Sequence, residues 1–316
     1  MTWASAHGRA MIRAAHAHAD LGMDQGEYID VYRAVHRAGL ELFAKPMDQL
    51  FGVYLPYVPG PRGTLSGVLL NLHRSPVDQR HSAAHELGHH VFGHGECAAE
   101  GTQVFQDTDP ATWPTREKEA EAFAAWFLMP RKAVRKVIAR LGVDKITTPD
   151  EVYQVALHLG TSYRGTLRHL PNLKLLSRGR AAAWTKLPRG KVRARAGGGL
   201  GADRPGEVWA LGPASHGSRL HLTPGDRLVI CSAGGSVIPS ALPAGVRQQT
   251  AALLGGVGTG GLLELEMDGS AILVLDVDDD FSSAGPLQVD MGRSASPWQV
   301  ALAPVPGLRL GHNPPS

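Results

Sequence analysis

Two histidines four residues apart, the first followed directly by a glutamate, are the clearest sign of chemistry in this chain: His85-Glu86-Leu87-Gly88-His89 is an H-E-x-x-H pattern. On a helix, positions four apart lie on one face a turn above each other, so both imidazoles can bind one Zn²⁺. Glu86 lies one step further round. It is badly placed to ligate, but it can reach a water held at the metal and act as general base. The chain contains 15 His, and composition alone predicts roughly 0.03 chance matches to the pattern in a chain of this length. A merely His-rich, solvated helix is the weaker reading.

A catalytic zinc needs a third protein ligand and keeps its fourth position for water. The metzincin signature would place that ligand ten residues after His85, but Gly95 occupies the position and His94 falls one short. His90 points away from the pair. The better source is Thr115 to Pro130, where Glu117 and Glu121 are four apart on a flank of the apolar stripe Ala120, Phe123, Ala124 and Phe127. One of the two can ligate while the other steadies a ligand from outside the coordination sphere. The upstream motif favours Glu117 as the ligand. Glu119 faces elsewhere and is expected in solvent.

The elements that must position these groups are also legible. Ser75, Pro76 and Asp78 form an N-terminal helix signature just upstream of the motif. Ala84, Leu87 and Val91 give that helix a buried stripe, and Gly88 allows a close approach. Thr115 is the expected cap of the second helix and Pro130 its stop. Phe51 to Val58 and Gly67 to Leu72 read as a hairpin turning at Gly60-Pro61-Arg62-Gly63. Its outer strand either holds an extended peptide by strand addition or is purely structural. Glu27 to Phe43 reads as an amphipathic helix. Residues 1–26 read as a loosely attached helical extension, in which His16 and His18 cannot share a face.

His-Ser-Ala-Ala-His-Glu-Leu-Gly-His-His-Val-Phe-Gly-His, followed by Glu-x-Glu-Ala-x-x-Phe-Ala-Ala-x-Phe-Leu-Met-Pro, resembles the ImmA/IrrE family of zinc metallopeptidases, gluzincin-like in their ligands. The resemblance covers roughly residues 27–176. It implies that His85, His89 and Glu117 hold zinc and that Glu86 is the general base. The family usually has Asn where this chain has Glu121, so Glu121 is either an altered supporting contact or an alternative ligand. The resemblance further implies site-specific cleavage of a helix-turn-helix transcriptional repressor, releasing a stress-response or mobile-element operon.

Residues 146–177 have a helix, Gly160, helix outline like that of a helix-turn-helix. The would-be recognition helix offers only Tyr163, Arg164, Arg168 and His169, so a helical cap completing the protease core is the preferred expectation. A developing oxyanion needs a donor besides the metal; Tyr163, Arg168 and His169 are the candidates, and the sequence does not choose among them. Residues 178–200 read as a basic, Gly-rich linker. Residues 201–316 read as an all-β domain, a sandwich or small barrel. Its expected strands include Glu207 to Leu211, Arg219 to Leu222, Asp226 to Cys231, Leu287 to Met291 and Trp298 to Leu302. Leu262 to Met267 and Ala271 to Val277 form an expected hairpin across Asp268-Gly269. Gly255 to Gly261 is a weak phosphate signal, and Asp278 to Asp280 read as a solvated strand end rather than a Ca²⁺ loop.

A chain of 316 residues favours more than one core. The net charge of +3 does not by itself imply nucleic acid. No apolar run is long enough to span a membrane, and the N-terminal residues lack the apolar stretch of a signal peptide. Cys97 and Cys231 are the only cysteines, which fits a reducing cytoplasm and gives no Cys-based metal site. The expectation is an α+β protein: a helical, zincin-like catalytic domain at 27–145 with a small hairpin, then the helix-turn-helix-like segment and the β domain. The expected activity is that of a cytoplasmic zinc endopeptidase acting on a protein substrate, with no membrane partner. Two alternatives remain: a DNA-binding regulator with a structural zinc, and a zinc hydrolase of a small amide.

Overall fold

In the computed structural model, which describes residues 1–60, 63–95, 110–200, 205–233, 237–249, 270–291 and 297–308, the chain is α+β and divides into two units. One comprises Met1–Ala133, Leu159–Ser162 and Pro306–Ser316; the other comprises Val134–His158 and Tyr163–Val305.

In the first unit, α1 (Trp3–Asp20) is capped by Thr2 and buries Ala6, Ala10, Ala14, Ala17 and His18. Small residues at these spacings form a narrow stripe that lets α1 lie close against α4 (Thr115–Leu128). The His18 ring stacks on Phe127 with centroids 4.5 Å apart, and its Nε2 sits 2.9 Å from the Phe127 carbonyl oxygen. The extension expected to be loose is part of the core. Alanine contributes little apolar contrast, so the stripe reads as weak periodicity.

The expected helix over Glu27 to Phe43 is also corrected. Asp30 caps α2 (Val31–Arg37), Gly39 turns the chain at φ +75°, and β1 (Leu40–Lys45) follows. β1 pairs in parallel with β3 (Gly63–Asn71), which pairs antiparallel with β2 (Gly52–Gly60), giving the order β1-β3-β2. Pro61 and Arg62 of the expected turn lie outside the described residues. Fully buried Asn71 holds the segment between β1 and β2: its amide nitrogen donates to the carbonyls of Met47 and Leu50, each at 2.6 Å, and its oxygen accepts from the Met47 and His73 N–H groups.

The motif helix is α3 (Pro76–Phe92), with Ser75 as N-cap and Gly93 in the left-handed conformation at its end. Arg80, fully buried on α3, donates to the carbonyls of Ile29, Leu159 and Gly160 and lies over the Tyr28 ring. α4 begins at Thr115, but its N-cap is Pro114, with no side-chain cap, so Thr115 is the first helical residue and not the cap. Ala120, Phe123, Ala124 and Phe127 are all fully buried. Gly88 faces them at close range. A Cβ there would lie 3.1 Å from both Ala120 Cα and Phe123 Cδ1.

In the second unit, β4 (Val208–Leu211), β6 (Arg227–Ala233), β9 (Ser270–Val277) and β8 (Val246–Gln248) form one sheet in the order β4-β6-β9-β8. β5 (Arg219–Leu222), β11 (Trp298–Pro304), β10 (Gly285–Asp290) and β7 (Ile238–Ala241) form another in the order β5-β11-β10-β7. Trp209, Leu228 and Leu275 of the first share one core with Leu220, Leu287 and Val300 of the second, which makes a sandwich. β7 and β8 are short and gave no periodic signal. The expected Leu262 to Met267 strand, its Asp268-Gly269 turn and the Gly255 to Gly261 run lie outside the described residues. Asp279 and Asp280 are exposed just past β9, as expected of a solvated strand end, and Asp278 pairs with Arg247 at 2.8 Å.

α5 (Arg131–Arg140) crosses the unit boundary. Except for Leu159, α6 (Pro149–Leu159) belongs to the second unit, and so does α7 (Tyr163–His169). Within the second unit, α6 closes a sheet edge. The Gln154 carboxamide donates to the Val208 carbonyl at 2.8 Å and accepts from the Ala210 N–H at 3.0 Å, as a neighbouring strand would. The basic stretch expected as a linker folds into α8 (Arg178–Thr185) and α9 (Arg189–Ala196). Ser177 caps the first, and on the second Val192 and Ala196 are buried while Arg195 grips Asp150 with two nitrogens. Among the described residues no helix is long and apolar enough to cross a membrane.

Gly88→Val should destabilise the first unit by about 1–3 kcal/mol, since the added atoms press on a backbone that cannot yield easily. It should also weaken metal binding by parting α3 from α4. Thermal melting and a chelator competition would check this; unchanged melting would show that the two helices have slack.

Candidate metal centre

Because α3 and α4 meet at Gly88, side chains one turn apart on α3 face the first turn of α4. His85, His89 and Glu117 come together there, each with 2 % or less of its surface exposed. His85 Nε2 lies 3.1 Å from His89 Nε2 and 3.2 Å from Glu117 Oε2, which is 3.5 Å from His89 Nε2. Zinc bonds of about 2.0–2.1 Å in a tetrahedron separate ligand atoms by roughly 3.3 Å. The three donor atoms therefore already outline one face of such a tetrahedron, and the residues fit a metal.

The surrounding groups hold the two rings. Glu121 Oε2 lies 2.9 Å from His81 Nε2 and 3.4 Å from His85 Nδ1. It sits behind the His85 ring, on the nitrogen turned away from the Glu117 and His89 donor atoms, where a supporting carboxylate would lie. With His81 and His85 it also forms a second group whose donor atoms are close enough together to hold a metal. Glu86 is buried where β2 passes α3. A Cβ on Gly52 would come within 3.3 Å of Glu86 Oε1, and the Tyr54 backbone hydrogen-bonds the carboxylate. His90 turns aside to the Tyr54 hydroxyl at 3.1 Å.

Sequence reasoning missed Glu119 and set His94 aside. Glu119, expected in solvent, is buried, with Oε1 2.7 Å from Arg9 and Oε2 3.1 Å from His94 Nε2. His94 Nδ1 in turn lies 2.9 Å from His89 Nδ1. No local pattern could have revealed this, because α1 supplies the cover over Glu119. Tyr163, Arg168 and His169 lie on α7 in the second unit and are not part of the His85–His89–Glu117 group. The Tyr163 hydroxyl donates to the Trp184 carbonyl at 3.3 Å, Arg168 is exposed, and His169 is buried.

Burial by itself would lower the His85 pKa, but its contacts with Glu117 and Glu121 and the charge of Glu86 outweigh that and push it up to about 10. Burial prevails at His89, whose pKa falls. Burial opposes ionisation of Glu117, yet both imidazoles hold its carboxyl well below the usual range. Glu121 is likewise held low, by His81 and His85 against the effect of burial. Glu86 is pushed up to about 7, chiefly by burial, with His85 pulling the other way.

A buried His, His, Glu triangle drawn from two helices, with a further carboxylate beside it, is a group that could hold a metal ion, and metallohydrolase centres use the same donor types. The family model of peptidase M78, described as an IrrE N-terminal-like domain, matches residues 36–163, a span that includes both helices. No curated protein matches the chain. The family match supports a metallopeptidase type of function for this part of the chain.

Glu117, Glu121 and Glu86 favour the protonated form of the His85 ring, and a metal binding there must displace that proton. Affinity should therefore rise with pH across neutrality, with protons released as the ion binds. Calorimetry in buffers of different ionisation enthalpy would measure this proton release, and a heat independent of buffer would contradict it.

Proposed function

We propose that this protein is a zinc-dependent endopeptidase of the cytoplasm. Its substrate is a helix-turn-helix transcriptional repressor, whose cleavage relieves repression of a stress-response or mobile-element operon. The observation that carries this reading is the Nε2, Nε2, Oε2 triangle of His85, His89 and Glu117, with Glu86 beside it. Among the described residues this group offers three protein ligands. That favours a catalytic over a structural metal, since structural zinc sites close all four positions with protein. Two imidazoles and a carboxylate suit zinc.

The bound cation would supply Lewis acidity, polarising the scissile carbonyl and making a nearby water easier to deprotonate. The chain's own residues do the rest. Burial raises the pKa of Glu86 above the usual carboxylate range, which makes it a better base for a proton from the attacking water, and it would return that proton to the leaving amide nitrogen. Burial of the group limits competing water. β2 is the outer strand of its sheet, and its far edge carries no strand among the described residues. Gly52 and Tyr54 on it adjoin Glu86. An extended segment of substrate adds to that edge and is carried past the general base.

Glu86→Gln should leave zinc content unchanged and slow cleavage of a co-expressed repressor by about 10²–10⁴-fold. Glu117→Ala should lose stoichiometric zinc. Metal analysis together with fragment mapping by mass spectrometry reads both. Undiminished cleavage by Glu86→Gln would remove its assigned role. Turnover of small amides but not of the repressor would change the substrate class.

A further inference from the structure

We infer that α1, which lies outside the matched residues 36–163, is a working part of the metal centre: through Arg9, Glu119 and His94 it fixes the tautomer and orientation of the His89 ring. This rests on the reading of His89 as a metal ligand and adds two positioning residues, His94 and Glu119, to it.

The direction of every hydrogen bond in the chain follows from its far end. With the Arg9 guanidinium 2.7 Å from its Oε1, the Glu119 carboxylate is the acceptor, so His94 Nε2, 3.1 Å from Glu119 Oε2, carries the hydrogen. A neutral imidazole with its hydrogen on Nε2 has a bare Nδ1. His89 Nδ1, 2.9 Å away, must then be the N–H donor to it. That leaves the lone pair of His89 on Nε2, the atom 3.1 Å from His85 Nε2 and 3.5 Å from Glu117 Oε2. The opposite tautomer of His89 would put a hydrogen where the metal belongs. His85 is held by a carboxylate directly, through Glu121; His89 is held by one through an intervening imidazole.

The chain geometry delivers each member. Gly93, at φ +67°, ends α3 so that the His94 N–H returns to the His89 carbonyl at 3.0 Å and brings the two rings together. Glu119 is buried beside α1, and Arg9 is the cation that meets it, at 2.7 Å. The Arg9 and Arg13 guanidinium groups also lie 5.7 and 5.9 Å from the Phe92 ring centroid, tying α1 to the last turn of α3. The alanine stripe of α1 sets the distance from which Arg9 reaches.

The test uses the full chain and zinc alone, with no substrate. Competition against a chromogenic chelator should show zinc binding weakened about 10–100-fold in His94→Leu and Glu119→Gln, and less in Arg9→Met. His94→Gln, whose side-chain oxygen can still accept from His89, should recover part of the loss. Histidine ¹⁵N spectra of the wild type should show a protonated Nδ1 on His89 and a bare Nδ1 on His94. Wild-type affinity in all three weakened variants, or the reverse ring assignment, overturns the inference while the peptidase reading stands. A wild-type chain that binds no zinc overturns both. Arg9 has 56 % of its side chain exposed, so Arg9→Met decides the matter if the buried substitutions do not fold.

Discussion

The first unit depends on how closely α3 and α4 can approach at Gly88. Ligating atoms from separate helices can share one cation only within a few ångströms, and that separation is set where the backbones pass. At Gly88 the facing Ala120 backbone occupies the space a side chain would need. Widening the contact by one methyl diameter would carry Glu117 out of reach of both imidazoles. The separation also sets the electrostatics. A carboxylate and two imidazoles buried together are expensive to desolvate singly, and each lowers that cost for the others. Glu117 can be ionised in the interior because the rings are there. A metal would replace one constellation of charge with another, and the three side chains are held together by attraction of the same kind.

The two units solve the burial problem with different chemistry. The β sandwich uses large aliphatic side chains from both sheets, with Trp209 between them. Its exposed edge is closed by a side-chain amide of Gln154. In the helical unit small residues line the contacts that matter: the alanines of α1, Ala83 and Ala84 on α3, and Ala120 and Ala124 on α4. Small side chains bury less area each, but they let backbones approach, and close backbones are what a metal site assembled from several helices requires. The unit gains cohesion from buried polar clamps, with Arg80 joining three carbonyls and Asn71 satisfied on every side.

What was legible in the sequence was local. The Ser75 cap, the four-residue spacing of His85 and His89, and the hairpin ahead of them are all decided within a few residues, and the structure keeps them. What was illegible depended on partners far along the chain. Leu40 and Phe43 fit a helical period as well as a strand, and only parallel pairing with β3 selects the strand. The basic run after Ser177 looked unstructured until Asp150, 45 residues earlier, took up Arg195. Glu119 looked solvated because nothing near it in sequence announces that α1 will cover it.

Three glutamates on α4 show how direction, rather than residue type, assigns a role. Glu117 and Glu121 are four apart and so point to one side, but a turn of rise separates them. The first meets the Nε2 atoms of the rings, and the second meets the back of His85 and His81. Glu119 is two positions from each and projects to the opposite side of the helix, where an isolated pair of helices would leave it in water. It joins the centre only because the chain curls past the end of α3 at Gly93 to bring His94 around, and because α1 lies along that side of α4. One helix thus serves the site from both faces: Glu117 and Glu121 share the His85 ring, while Glu119 meets Arg9 and His94. This arrangement needs a third helix as much as it needs the motif, which is why the motif alone foretells the ligands but not all that steadies them.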